Sequence, residues 1–173
     1  MALLTVRLYG DPALRQPGKP VEAVTPEIAQ MLDDMIETMY QEVGVGLAAT
    51  QVGIGLRMLV LDEGTGVGRT YVNPRIVDQG GEEVDEEGCL SLPGIYADVA
   101  RAAWVVVEAQ DRTGAPIHQR ASGFPARVLQ HEIDHLDGIL FIDRLDKVTR
   151  DRIKRRIKRE GFPEGAVAHA GVL

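Results

Sequence analysis

The chain has 173 residues, 45% of them apolar and 26% charged, with a formal net charge of -7. That length fits one domain able to bury about two-thirds of its unfolded surface, and the acidic balance argues against general nucleic-acid binding. Met1-Ala2-Leu3-Leu4-Thr5 lacks a basic segment followed by a long apolar run, and no window reaches membrane-spanning length; the chain is therefore expected in the cytoplasm, off the membrane, with a reduced thiol.

Thr25-Pro26 opens the first helix, with threonine as cap and proline in the first turn. Ile28, Met31, Leu32, Met35, Ile36 and Met39 recur at the helical period and predict one buried face, and Gly44 marks the stop. Gly44-Val45-Gly46-Leu47-Ala48-Ala49-Thr50-Gln51 follows, where two glycines around one small apolar residue admit a second backbone. Short β-branched runs at 57–61, 70–73, 76–78, 104–109 and 115–120 predict strands. Asp111-Arg112-Thr113-Gly114 reads as a hairpin tip. Gly64-Thr65-Gly66-Val67-Gly68 reads as another hairpin loop, since the lysine and helix of a phosphate loop are missing.

Glu82, Glu83, Asp85, Glu86 and Glu87 form an acidic cluster, expected to be a solvated strand edge. Directly after it stands the sole cysteine, Cys89, in Glu87-Gly88-Cys89-Leu90-Ser91. A single cysteine makes no internal disulfide, so Cys89 is a buried filler, a nucleophile or a metal ligand.

The next helix is expected from a Ser122 cap, with Pro125 in its first turn, an apolar stripe of Val128, Leu129, Ile133 and Leu136, and a stop at Gly138. It contains Gln130-His131-Glu132-Ile133-Asp134-His135. Histidines four apart on a helix point both imidazoles at one metal ion, and the glutamate between them can work on water there. A third protein ligand must come from elsewhere, either a downstream acid as in zinc proteases or a thiolate. Asp134 points away and is expected to orient a ligand or pair with Arg101. Residues 144–159 hold nine basic and two acidic side chains, read as a solvated helix face or a docking patch for a polyanion such as ribosomal RNA. No linker or repeat appears, so residues 1–173 are expected to form one domain, with a loosely anchored tail from about 161. The element order predicts an α+β fold: short antiparallel β-sheets packed around a central HExxH helix, with an N-terminal and a C-terminal helix.

The three segments around Gly44–Gln51, Cys89 and His131, in this order and spacing, resemble the signature motifs of the bacterial peptide deformylases. The resemblance runs from Tyr9-Gly10-Asp11-Pro12 to the basic C-terminal helix. It implies a monomeric metallohydrolase removing the formyl group from formylmethionine at the start of nascent polypeptides, with release of formate. It implies Cys89, His131 and His135 as metal ligands, Fe²⁺ as the physiological ion, and Zn²⁺, Ni²⁺ or Co²⁺ as substitutes. Metal-bound hydroxide would attack the formyl carbon while Glu132 acts as general base and then acid. The Gln51 side-chain amide and the Leu90 N–H would stabilise the oxyanion, each worth roughly 3 kcal/mol. The peptide would add as a strand near Val45-Gly46 and the Leu90 side of the second motif, with Val45, Val128, Leu129 and His131 around the methionine pocket. The alternatives are an HExxH zinc endopeptidase and a non-catalytic, metal-stabilised module that docks on the ribosome.

Overall fold

The computed structural model describes residues 2–163 and 172–173. A 3₁₀ turn at Pro12–Arg15 precedes helix α1, Pro26–Gln41. Its start is as the sequence signals: Thr25 Oγ1 accepts the Ile28 N–H at 3.3 Å, and Pro26 sits where a helix needs no N–H donor. Leu32, Met35 and Met39 are fully buried, and the helix ends at Gln41, just ahead of Gly44.

Strand β1, Gly46–Ala48, and a 3₁₀ turn, Ala49–Val52, lead into β2, Met58–Leu61, and β3, Arg69–Gly80. Then come β4, Glu83–Cys89, and β5, Leu92–Arg101, followed by β6, Trp104–Gln110, and β7, Pro116–Ser122. One five-stranded antiparallel sheet has the order β1-β2-β3-β6-β7, and β4-β5 form a separate ribbon. The runs 70–73 and 76–78 prove to be one strand. Asn73 takes a φ of 53° and Pro74 has no N–H to donate, so the ladder skips from Val72↔Gln110 to Arg75↔Glu108. Both expected loops are present. Asp62 Oδ1 accepts the N–H groups of Gly64, Thr65 and Gly66, and Asp111 Oδ1 accepts those of Thr113 and Ala115.

Helix α2, Gly123–Leu136, follows β7, and a 3₁₀ turn, Phe141–Arg144, leads to α3, Lys147–Glu160. Ser122 sits at the start of α2, but its side chain makes no capping hydrogen bond. The expected stop is correct: Gly138 has a φ of +77°, and a Cβ there would lie 2.9 Å from the Arg15 carbonyl oxygen.

The β1-β2 end of the five-stranded sheet is buried on both faces, which is legible in β2. Met58 and Val60 join the cluster beneath α1, whereas Leu59 and Leu61 join the cluster beneath α2. A third cluster joins Leu14, Cys89, Leu92 and Phe141, and Ile153 and Ile157 of α3 pack onto it. In helix α2 every residue from 126 to 136 is buried. No helix among the described residues is long and apolar enough to cross a membrane.

The tail expected from 161 lies largely at 164–171, outside the described residues. Its end is packed: Val172 and Leu173 are buried, and the Leu173 N–H donates to the Gly88 carbonyl at 3.2 Å.

Candidate metal centre

Cys89 closes β4 at a register irregularity, where pairing steps from Gly88↔Tyr96 to Cys89↔Leu92. This break in the alternation, with Leu90 and Ser91 as the hairpin tip, faces the Cys89 sulfur toward α2. His135 Nε2 lies 3.3 Å from Cys89 Sγ and 3.2 Å from His131 Nε2. The three donor atoms all fall within 4.8 Å of one another, and all three residues are buried. A tetrahedral ion with ordinary metal–nitrogen and metal–sulfur bonds separates its ligands by about 3.3–3.6 Å. These residues therefore fit a divalent metal in both chemistry and spacing.

The tautomer of His131 is set by Glu87. The His131 Nδ1–H donates to Glu87 Oε1 at 2.9 Å, leaving the Nε2 lone pair for the metal. Glu87 is fully buried, and three further bonds hold it. Arg101 donates Nε to Oε2 and Nη2 to Oε1, both at 2.9 Å, and Arg127 donates Nη1 to Oε2 at 2.6 Å. Burial alone would raise this carboxyl, but Arg101 and His131 hold it well below the usual carboxylate range. Asp134 extends the network as expected, accepting from Arg101 Nη1 at 2.6 Å and from Arg144 Nε and Nη2 at 3.0 and 2.8 Å. The solvated reading of the acidic cluster holds for Glu83 to Glu86 but fails for Glu87, which the ribbon turns inward. Arg127 also escaped the sequence reading. The only signal for either was position, Glu87 two residues before the cysteine and Arg127 one helical turn before His131.

Glu132 stands apart from this network. It is fully buried, and neither carboxylate oxygen has a hydrogen-bond partner among the described residues. Burial pushes its carboxyl up to about 7. An unpartnered buried carboxylate beside three candidate metal-ligand residues suits a proton acceptor whose partner arrives with the reaction. Burial also opposes charge on His135, whose imidazole is held well below its ordinary value. For His131 burial works the same way, but Glu132, Cys89 and Glu87 outweigh it and raise its value.

Gln51 is buried on the 3₁₀ turn with its amide oriented from both ends. Oε1 accepts the Ala48 N–H at 3.0 Å, and Nε2 donates to Ser91 Oγ at 3.1 Å and lies 3.7 Å from Cys89 Sγ. Leu90 packs on Gly44, where a Cβ would come 2.7 Å from its Cδ1. Val128 and Leu129 are buried in the cluster between α2 and the sheet, and Val45 packs against the same cluster. Gln130 ties α2 to the end of β5. It donates to the carbonyls of Ala102 and Ala126 and accepts the Ala102 N–H, each at 3.0 Å.

Residues 3–151 match the family model described as polypeptide deformylase. The peptide deformylase of Alkalilimnicola ehrlichii is 47% identical over 162 residues, covering 92% of this chain and 91% of its own. The crystal structure of a Legionella pneumophila peptide deformylase is similar at a TM-score of 0.86 and 42% identity, covering 91% of this chain and 95% of that one. The Synechococcus elongatus peptide deformylase, solved in complex with actinonin, gives a TM-score of 0.85 and 39% identity over 95% of this chain and 91% of its own.

Proposed function

The chain belongs to the polypeptide deformylase family, metallohydrolases that remove the N-formyl group from nascent peptides, and we propose that Cys89, His131 and His135 hold the metal while Glu132, Gln51 and Leu90 carry the chemistry. Fe²⁺ is the proposed physiological ion, with Zn²⁺, Ni²⁺ or Co²⁺ able to substitute, because one sulfur and two imidazoles suit several first-row divalent ions. An ion held there supplies Lewis acidity and brings the pKa of water toward neutrality.

The single observation that carries the mechanism is the buried, unpartnered carboxylate of Glu132. With its value raised to about 7, Glu132 takes the proton of the attacking water and then delivers it to the departing amine. Gln51, oriented by the bond from the Ala48 N–H to its Oε1, is the proposed side-chain donor to the developing oxyanion, turning an N–H from the Cys89 sulfur toward the substrate, and the Leu90 N–H at the hairpin tip is the second proposed donor. The peptide lies against Val45-Gly46, and Val128 and Leu129 line the pocket for methionine. Backbone pairing makes the reaction independent of the sequence that follows.

The substrate is the formylmethionyl end of a nascent chain, met in the cytoplasm by a monomeric enzyme. Helix α3 supports docking on the ribosome: none of its residues is fully buried, and Lys147, Arg152, Arg155, Arg156, Lys158 and Arg159 are exposed while Ile153 and Ile157 pack inward. A zinc endopeptidase would need a downstream acid as third ligand, whereas here the Cys89 sulfur stands beside both histidines.

The test is formate release from formyl-Met-Ala-Ser by anaerobically iron-loaded protein. Release is expected, and Glu132→Ala is expected to abolish it while fold and metal content stay unchanged. Full-rate release by that variant would reject the assignment, and no release by the loaded parent protein would reject the function.

A further inference from the structure

The edge of β4 at Gly88 has two neighbours. On one side Gly88 pairs with Tyr96 of β5, and on the other it forms a parallel bridge with Val172. The Leu173 N–H donates to the Gly88 carbonyl at 3.2 Å. Val172 and Leu173 are 5% and 0% exposed, and Leu173 joins the apolar cluster of Val128 and Leu129 against which Val45 packs. A strand-like backbone beside the metal-ligating cysteine, with an aliphatic side chain among those residues, has the chemistry proposed above for the bound formylmethionyl peptide.

We propose that Val172-Leu173 is the resident occupant of the peptide cleft, an internal competitor that a nascent peptide must displace. The proposal rests on the reading of Val45, Val128 and Leu129 as the methionine pocket. Being part of the same chain, the segment acts at a local concentration on the order of millimolar, so one backbone bond and two apolar side chains suffice to compete. Occupancy lowers the fraction of molecules open to substrate and raises the apparent dissociation constant by that factor, with the chemical step untouched.

Two variants test this: a chain ending at Pro163, and full-length Leu173→Asp, which keeps the chain length but places a charge where the pocket is apolar. In both, KM for formyl-Met-Ala-Ser is expected to fall about tenfold with kcat unchanged, as for a cleft occupied nine-tenths of the time. Calorimetric affinity for the unformylated Met-Ala-Ser should rise by the same factor without turnover. The peptide Ala-His-Ala-Gly-Val-Leu should inhibit the shortened protein competitively. Unchanged or weaker Met-Ala-Ser binding in both variants, with melting temperatures confirming folded protein, would overturn the proposal. If neither parent nor variants released formate, the functional reading would fall instead, and the calorimetric comparison would still decide whether the segment occupies the cleft.

Discussion

Gly46 and Glu132 compete for one volume: a Cβ on Gly46 would lie 2.8 Å from Glu132 Oε2 and 2.9 Å from its Cγ. The glycine of β1 is therefore a condition for the position of the carboxylate on α2. Gly46→Ala is expected to push Glu132 aside and lower kcat about 100-fold, the usual cost of a displacement near 1 Å. Metal content should stay at the parent level, because the three atoms nearest that Cβ all belong to Glu132. Metal analysis beside steady-state kinetics checks this, and loss of metal would show that the glycine acts on the ligands instead.

Cys89→Ala removes the only sulfur ligand. Metal content and deformylation should be lost together, with the helical circular-dichroism signal retained. Plasma emission spectrometry on the dialysed variant reads the outcome, and an ion retained on His131 and His135 would revive the endopeptidase alternative. In the iron-loaded parent, exposure to air should inactivate the enzyme faster than in the nickel form, since both the ferrous ion and the sulfur are oxidisable.

Glu87→Gln probes the carboxylate behind His131. Loss of charge at this position should weaken metal affinity by about 10- to 100-fold. Glu87 also carries a pH signature. Its folded-state value lies below its ordinary 4.5, so its stabilisation is present above that pH and lost as pH falls toward the lowered value. Urea unfolding of the metal-free proteins should show the parent's advantage over Glu87→Gln at neutral pH, shrinking on acidification below about 4.5. An advantage that grew with acid would contradict the assignment.

Arg101→Ala leaves the buried Glu87 and Asp134 short of a shared partner. A destabilisation of about 3–5 kcal/mol is expected, the range for stripping one member from a buried charge network. Denaturant titration measures it. Arg144→Ala, whose side chain is 46% exposed, should cost far less.

Reversing Arg155, Arg156 and Arg159 to glutamate should weaken co-sedimentation with ribosomes and leave the rate on formyl-Met-Ala-Ser intact. Equal co-sedimentation would show α3 to be an ordinary solvated helix.

The histidine pair was legible because its spacing is local and fixes a helix face by itself, whereas Cys89 was singled out as a ligand only by the family resemblance. The α1 start was legible for the same reason, since Thr25 and Pro26 act within one turn. What escaped depended on distant partners. Strand β4 was read only as an acidic edge because its first four residues are exposed, and it gains strand geometry only from pairing with β5. Glu87 looks like its acidic neighbours in one dimension, and only Arg101 and Arg127, brought from β5 and α2, make its burial tolerable. The 70–73 and 76–78 runs seemed separate because Asn73-Pro74 interrupts the local pattern without ending the strand.

Burial of every residue from 126 to 136 has a consequence for the order of events at the metal. The amide hydrogens of such a helix reach solvent only when the domain opens as a whole. Its two histidines are thus in place before any ion arrives, unlike the ligands of a zinc finger, which assemble around the metal. On the proposed assignment, exchange of iron for nickel would leave the backbone unchanged, and the identity of the ion would follow the supply around the protein and not the folding history of the chain.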